Sequence, residues 1–213
     1  MPPRQSPAAR LAARALAAAL LAAPAAAAAQ AGGAVRGHVA LAVEGAQLED
    51  VGPVVVYLES LDGRSFPPPS RTPRVRQKDA SFSPGFLVVA RGQSVEMPND
   101  DAIYHNVFSY SRPNQFDLGL YPSGESRSVT FEHPGVVRTY CSIHESMSGT
   151  IFVAPTPWFD VVRPGGRFEI RGVPPGAWRI RTWCERLPAL SREVTVGAGT
   201  AVDLELAIGA AAP

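Results

Sequence analysis

Soft metal ligands are scarce in this chain, which has only two cysteines, three methionines and four histidines. That scarcity leaves no material for a second metal cluster or for a sulfur-rich site. Basic runs are missing too, so nucleic acid is not an expected partner. No amphipathic helix is legible after residue 30, and no apolar run there approaches the ~20 residues that a membrane-crossing helix needs. Proline and glycine, by contrast, are plentiful at 21 and 19 residues. They separate short apolar runs that alternate with polar residues, the pattern of an all-β body.

Residues 1-30 read as a secretory signal peptide. Arg4, Arg10 and Arg14 form a basic start, Ala15 to Ala23 an apolar core, and Ala27-Ala28-Ala29 a small-residue cleavage region. A retained anchor is the alternative, for which the Ala-dominated core is short. Cleavage near residues 29 to 31 places the mature chain in a periplasm or outside the cell, with no stable membrane span. Loss of the three arginines takes the formal charge from +1 to −2.

Alternation in Val35, Val39, Leu41 and Val43 predicts a first strand, and Val54 to Leu58 a second. Residues 61 to 73, with four prolines, read as a boundary. Strands are then expected over Phe86 to Ala90, Ser94 to Met97, His105 to Ser109, Val129 to Glu132, Val136 to Tyr140 and Gly149 to Ala154. Phe116 to Ser128 reads as a loop because of its turn signals, Asp117-Leu118-Gly119 and Pro122-Ser123-Gly124. Val202 to Ile208 alternates at every step and is expected to bury one face.

The chemistry converges on Cys141-Ser142-Ile143-His144-Glu145-Ser146-Met147. A thiolate, an imidazole and a thioether within seven residues suit a compact loop folded round one point. His105, at the head of its strand, supplies the distant fourth donor. Two imidazoles, one thiolate and a weak thioether are the donors of a type 1 (blue) copper centre. Zinc competes for Cys and His, but structural zinc sites do without thioether, so Met147 favours copper. An exported chain also permits a Cys141–Cys184 disulfide, which would leave the His144 and Met147 spacing unexplained. His38, on the polar face of its strand, and His133, beside a Pro-Gly turn, are expected outside the site.

The segment Asp79 to Ala154 resembles the cupredoxin family. The resemblance is carried by Phe82-Ser83-Pro84, Gly92-Gln93-Ser94-Val95, Asn99-Asp100, His105-Asn106-Val107 and Cys141-Ser142-Ile143-His144 with Met147 and Gly149-Thr150-Ile151. The two-residue gap between His144 and Met147 is similar to the short ligand loop of amicyanins; plastocyanins have a longer gap. The resemblance implies a Greek-key β-sandwich with one copper, a protein that carries single electrons between redox partner proteins and is not an enzyme. It also implies that Asn106 pins the ligand loop and that His144 is the electron entry and exit point. Glu145 and Ser146 depart from the apolar rim usual beside that ligand. The alternative is a protein that sequesters or delivers copper without redox turnover, for which the chain has few methionines.

The flanks, 31-62 and 156-209, resemble together a carboxypeptidase regulatory-like (transthyretin-like) domain. The likeness rests on Gly-x-Val-x-Gly-x-Val, Gly-Gly-Arg-Phe-Glu-Ile and Val-Pro-Pro-Gly-Ala-Trp-Arg-Ile in that order. The expected organisation is therefore a copper domain, 74-154, inserted in or packed on this second small sandwich.

Overall fold

A computed structural model describes residues 31–209; the expected signal peptide lies outside them. The N-terminal part contains β1 (Gly33–Leu41) and β2 (Val55–Ser60). The middle of the chain follows as β3 (Arg76–Lys78), β4 (Ser81–Ser83), β5 (Phe86–Ala90), β6 (Gln93–Pro98), β7 (His105–Ser109), β8 (Phe116–Tyr121), β9 (Ser126–Phe131), β10 (Gly135–Tyr140) and β11 (Ser148–Ala154). The C-terminal part adds β12 (Phe159–Val161), β13 (Arg167–Val173), β14 (Gly176–Trp183), β15 (Ser191–Val196) and β16 (Ala201–Ile208). One 3-10 turn, Leu48–Val51, is the only helical element among the described residues.

The middle strands form a five-stranded sheet in the order β5-β11-β10-β7-β8, with the pairs β6-β9 and β3-β4 beside it. Val75, Phe82, Val89, Val95, Met97, Val107, Phe131, Val137, Ile151 and Val153 make its buried core. The two ends of the chain combine in two further sheets, β13-β1-β16 and β12-β2-β14-β15. Between them lies a second core that includes Val35, Val39, Val56, Leu58, Phe168, Trp178, Ile180 and Leu206.

A third buried group, Val55, Tyr57, Phe152 and Ala154, joins the two parts. It arises from strand periodicity. Successive side chains of β2 point to opposite faces, so Val56 and Leu58 enter the end-strand core while Val55 and Tyr57 enter the seam. β11 divides in the same way, with Ile151 and Val153 in the core of the middle strands and Phe152 and Ala154 in the seam. A strand covered on both faces reads as a continuous apolar run, which explains why Val54 to Leu58 does not alternate.

The segment expected as a loop, Phe116 to Ser128, contains β8 and the start of β9. Pairing with β7 organises β8, and Arg127 donates to the carbonyls of Leu118 and Leu120. These long-range bonds override the turn-forming tendency of Asp117 and Gly119.

Candidate metal centre

The site is assembled by one strand pair. β7 and β10 run antiparallel with Tyr140 opposite Phe108, a register that continues to bring Ser142 level with Asn106. The buried Asn106 Oδ1 accepts from the Ser142 amide at 2.7 Å and from its hydroxyl at 2.9 Å. Downstream the chain turns back on itself: the Met147 amide donates to the His144 carbonyl at 2.9 Å, and the Cys141 amide to the Met147 carbonyl at 3.2 Å. The loop is thus closed by its own backbone and tied to β7 by one side chain.

These constraints bring three donors together. Cys141 Sγ lies 3.7 Å from His105 Nδ1 and 3.8 Å from His144 Nδ1. All three ligand atoms fall within 4.8 Å of one another. His105 is fully buried and Cys141 nearly so, while His144 is partly exposed. Met147 is buried in the same core as Cys141. One sulfur facing two imidazole nitrogens suits a soft or borderline transition metal and is wrong for the oxygen-seeking cations calcium and magnesium.

Asp101 was not legible as part of this site. Its Oδ2 stands 2.9 Å from His105 Nε2 and also accepts from the Ala80 amide at 2.8 Å. The Ala80 hydrogen bond, followed by that of His105, holds the Asp101 carboxyl below the usual carboxylate range. In the sequence, Asn99-Asp100-Asp101 has the look of an ordinary polar turn. The four-residue step from Asp101 to His105 was the one available signal.

Deeper in the same core, Tyr121 pairs with His105 across β7 and β8. Burial pushes its hydroxyl up to about 12, against the opposing pull of the Gln77 hydrogen bond and of Arg127. The hydroxyl donates to the Met97 carbonyl at 2.8 Å, which fixes the ring within the core.

The remaining candidates lie elsewhere. His38 faces Glu205 at 3.5 Å on the end-strand sheet. The backbone of His133 is bonded to Asn114. Cys184 is a free thiol buried in the end-strand core, where it donates to the Val51 carbonyl at 3.3 Å. Cys141 is free as well, so the two are not joined. Glu145 and Ser146 are exposed beside His144, but so are Ile143, Ile103 and Tyr104, which leaves apolar surface next to both histidines.

Fold and cluster together define an all-β, multi-sheet protein with a His/Cys/His metal-binding cluster. Over part of its length the chain is similar to solved cupredoxins and amicyanins. A purple cupredoxin from Nitrosopumilus maritimus is 24% identical, over 38% of this chain and 99% of that one, with a TM-score of 0.35. A reduced amicyanin mutant is 20% identical, over 46% of this chain and 97% of that one, with a TM-score of 0.38. Amicyanin from Paracoccus versutus is 18% identical, over 40% of this chain and 83% of that one, with a TM-score of 0.36. No family model and no curated protein matches the chain.

Proposed function

We propose that this protein is an exported type 1 copper protein that carries single electrons between redox partner proteins. The observation that carries the reading is the placement of both Nδ1 atoms at 3.7 and 3.8 Å from the Cys141 sulfur. In this reading His105, Cys141 and His144 hold the metal and Met147 supplies the weaker thioether. Copper bound there provides the one-electron couple. The protein's part is to keep its ligands still: Asn106 anchors the loop from one side, and the Cys141–Met147 and Met147–His144 backbone bonds close it from the other. Ligands that cannot relax keep the cost of changing oxidation state small. His144, the partly exposed ligand, is the electron port, and the apolar side chains of Ile103, Tyr104 and Ile143 offer a partner a surface that is easily desolvated.

The same proposal assigns the sheets built from 31-62 and 156-209 to a transthyretin-like scaffold, with 74-154 inserted in it. It places the mature protein in the periplasm or outside the cell. Support for the scaffold comes from the single buried core to which both ends of the chain contribute. Among the described residues, no helix is long and apolar enough to cross a membrane.

The test is the visible spectrum with cupric ion, compared with Cys141→Ser and Cys184→Ser. An intense thiolate-to-copper band that vanishes only in Cys141→Ser is expected; absence of a band in the unsubstituted protein overturns the proposal. Rapid electron self-exchange is expected of a carrier, whereas a copper store has no need of it. A proteolytic fragment spanning 74 to 154, released from ends that stay associated, is the outcome expected of an insertion.

A further inference from the structure

A neutral imidazole carries one N–H, and its position decides which nitrogen has a lone pair to offer. At His105 the free pair must be on Nδ1, the atom that faces Cys141. On the Cys141 side a thiol 3.7 Å from Nδ1 is only a weak donor, whereas on the opposite side Nε2 meets the carboxylate oxygen Asp101 Oδ2 at 2.9 Å. That carboxylate is only 17% exposed.

The carboxylate is itself held in place. The Ala80 amide donates to the same oxygen at 2.8 Å, and the Asp101 amide donates to Asn99 Oδ1 at 3.0 Å. Asn99, fully buried, in turn donates to the carbonyls of Ile103 and Tyr121 at 2.8 and 3.1 Å. Ala80 belongs to the two-residue turn between β3 and β4, where Asp79 and Ala80 have φ of 52° and 49°. Residues with a side chain avoid this left-handed region at a cost of about 1–2 kcal/mol. The turn that adopts it is the one that aims the Ala80 amide at Asp101, a placement consistent with strain retained at a functional site.

We propose that Asp101 is the positioning residue of the metal centre. It locks His105 in the Nε2–H tautomer, presents Nδ1 beside Cys141, and sets a negative charge behind this ligand that favours the more oxidised state of a bound redox metal. The tautomer assignment is independent of which metal binds; the effect on oxidation state rests on the copper reading.

The experiment compares the full chain with Asp101→Asn and Asp101→Ala. In metal-free, 15N-labelled protein at pH 8, two-bond proton–nitrogen correlations are expected to show His105 as the Nε2–H tautomer. They should show it in Asp101→Asn too, whose amide oxygen still accepts, and a mixture in Asp101→Ala. Loss of such a partner typically weakens metal binding about 10–100-fold, the loss expected in Asp101→Ala for cupric ion. In Asp101→Asn the visible band is expected to persist while the reduction potential rises, because charge has gone and the hydrogen bond remains.

A wild-type tautomer in Asp101→Ala overturns the positioning role. A wild-type potential in Asp101→Asn overturns the electrostatic one, and a lowered urea midpoint with neither change marks Asp101 as structural only. Should Asp101→Ala fail to fold, the potential of Asp101→Asn decides. If the unsubstituted protein takes up no cupric ion at Cys141, the electron-carrier reading falls, and the tautomer measurement alone judges Asp101.

Discussion

Asn106 follows His105 in the chain, yet its side chain serves the other half of the site. Its carbonyl oxygen takes two hydrogen bonds from Ser142, so Asn106→Ala leaves an amide and a hydroxyl without their partner. Because Ser142 is exposed and water replaces the lost acceptor, a loss of about 1 kcal/mol is expected in urea unfolding of the metal-free protein. Met147 tests a different property. Met147→Leu nearly conserves volume in a buried position, so stability should change by less than about 1.5 kcal/mol. The thioether is lost all the same, and under the proposed copper reading, in which Met147 is the weak fourth donor, voltammetry is expected to find a higher potential.

At the scale of elements, the parallel pairing of β1 with β16 depends on a missing side chain. A Cβ on Gly37 would stand 1.8 Å from the Leu204 carbonyl oxygen, so the two backbones approach only because glycine lies between them. Gly37→Ala should destabilise the protein by about 3 kcal/mol, read as a lower urea midpoint. Under the proposed copper reading the visible band of the folded variant should be unchanged, because β7 and β10, which assemble the His/Cys/His cluster, belong to another sheet. Exposed bonds on this sheet matter less: Arg36 and Asp203 pair at 2.7 Å with both side chains largely in solvent.

Across the whole molecule, the two parts meet through aromatic rings. Trp183 of β14 lies 5.6 Å from Phe86 of β5, with the rings almost parallel, and 5.0 Å from Phe152 of β11. Trp183→Ala is expected to cost about 3 kcal/mol, with the loss measured by calorimetry as a lower unfolding temperature. Beside this stack Arg138 of β10 donates to Glu185, just beyond β14, and holds its carboxyl below the ordinary value of 4.5. A carboxylate with a depressed folded-state pKa binds fewer protons in the folded chain than in the unfolded one. Its contribution to stability is therefore present above pH 4.5 and lost as the pH falls through the folded value. The difference in urea midpoint between the unsubstituted protein and Glu185→Gln should accordingly be seen at neutral pH and shrink to nothing in acid.

What the sequence determined by itself was local and periodic. Cys141 and His144, which the structure brings together with His105, are legible as a donor pair because a thiol and an imidazole at such short spacing have few other uses. β1 and β16 are legible because alternation of apolar and polar residues follows from the two-residue repeat of a strand. Tertiary structure alone decided the rest. β8 emerged from a stretch full of turn residues because β7 offered it a ladder of hydrogen bonds, and Val54 to Leu58 became a strand buried on both faces because a second sheet covers it. Asp101 shows the same division within the site. Its identity is plain in the sequence, but its role depends on where a hairpin turn sends the Ala80 amide and on which nitrogen of His105 faces it. Periodicity along the chain says which face a side chain takes; only the stacking and pairing of distant strands say what that face will meet.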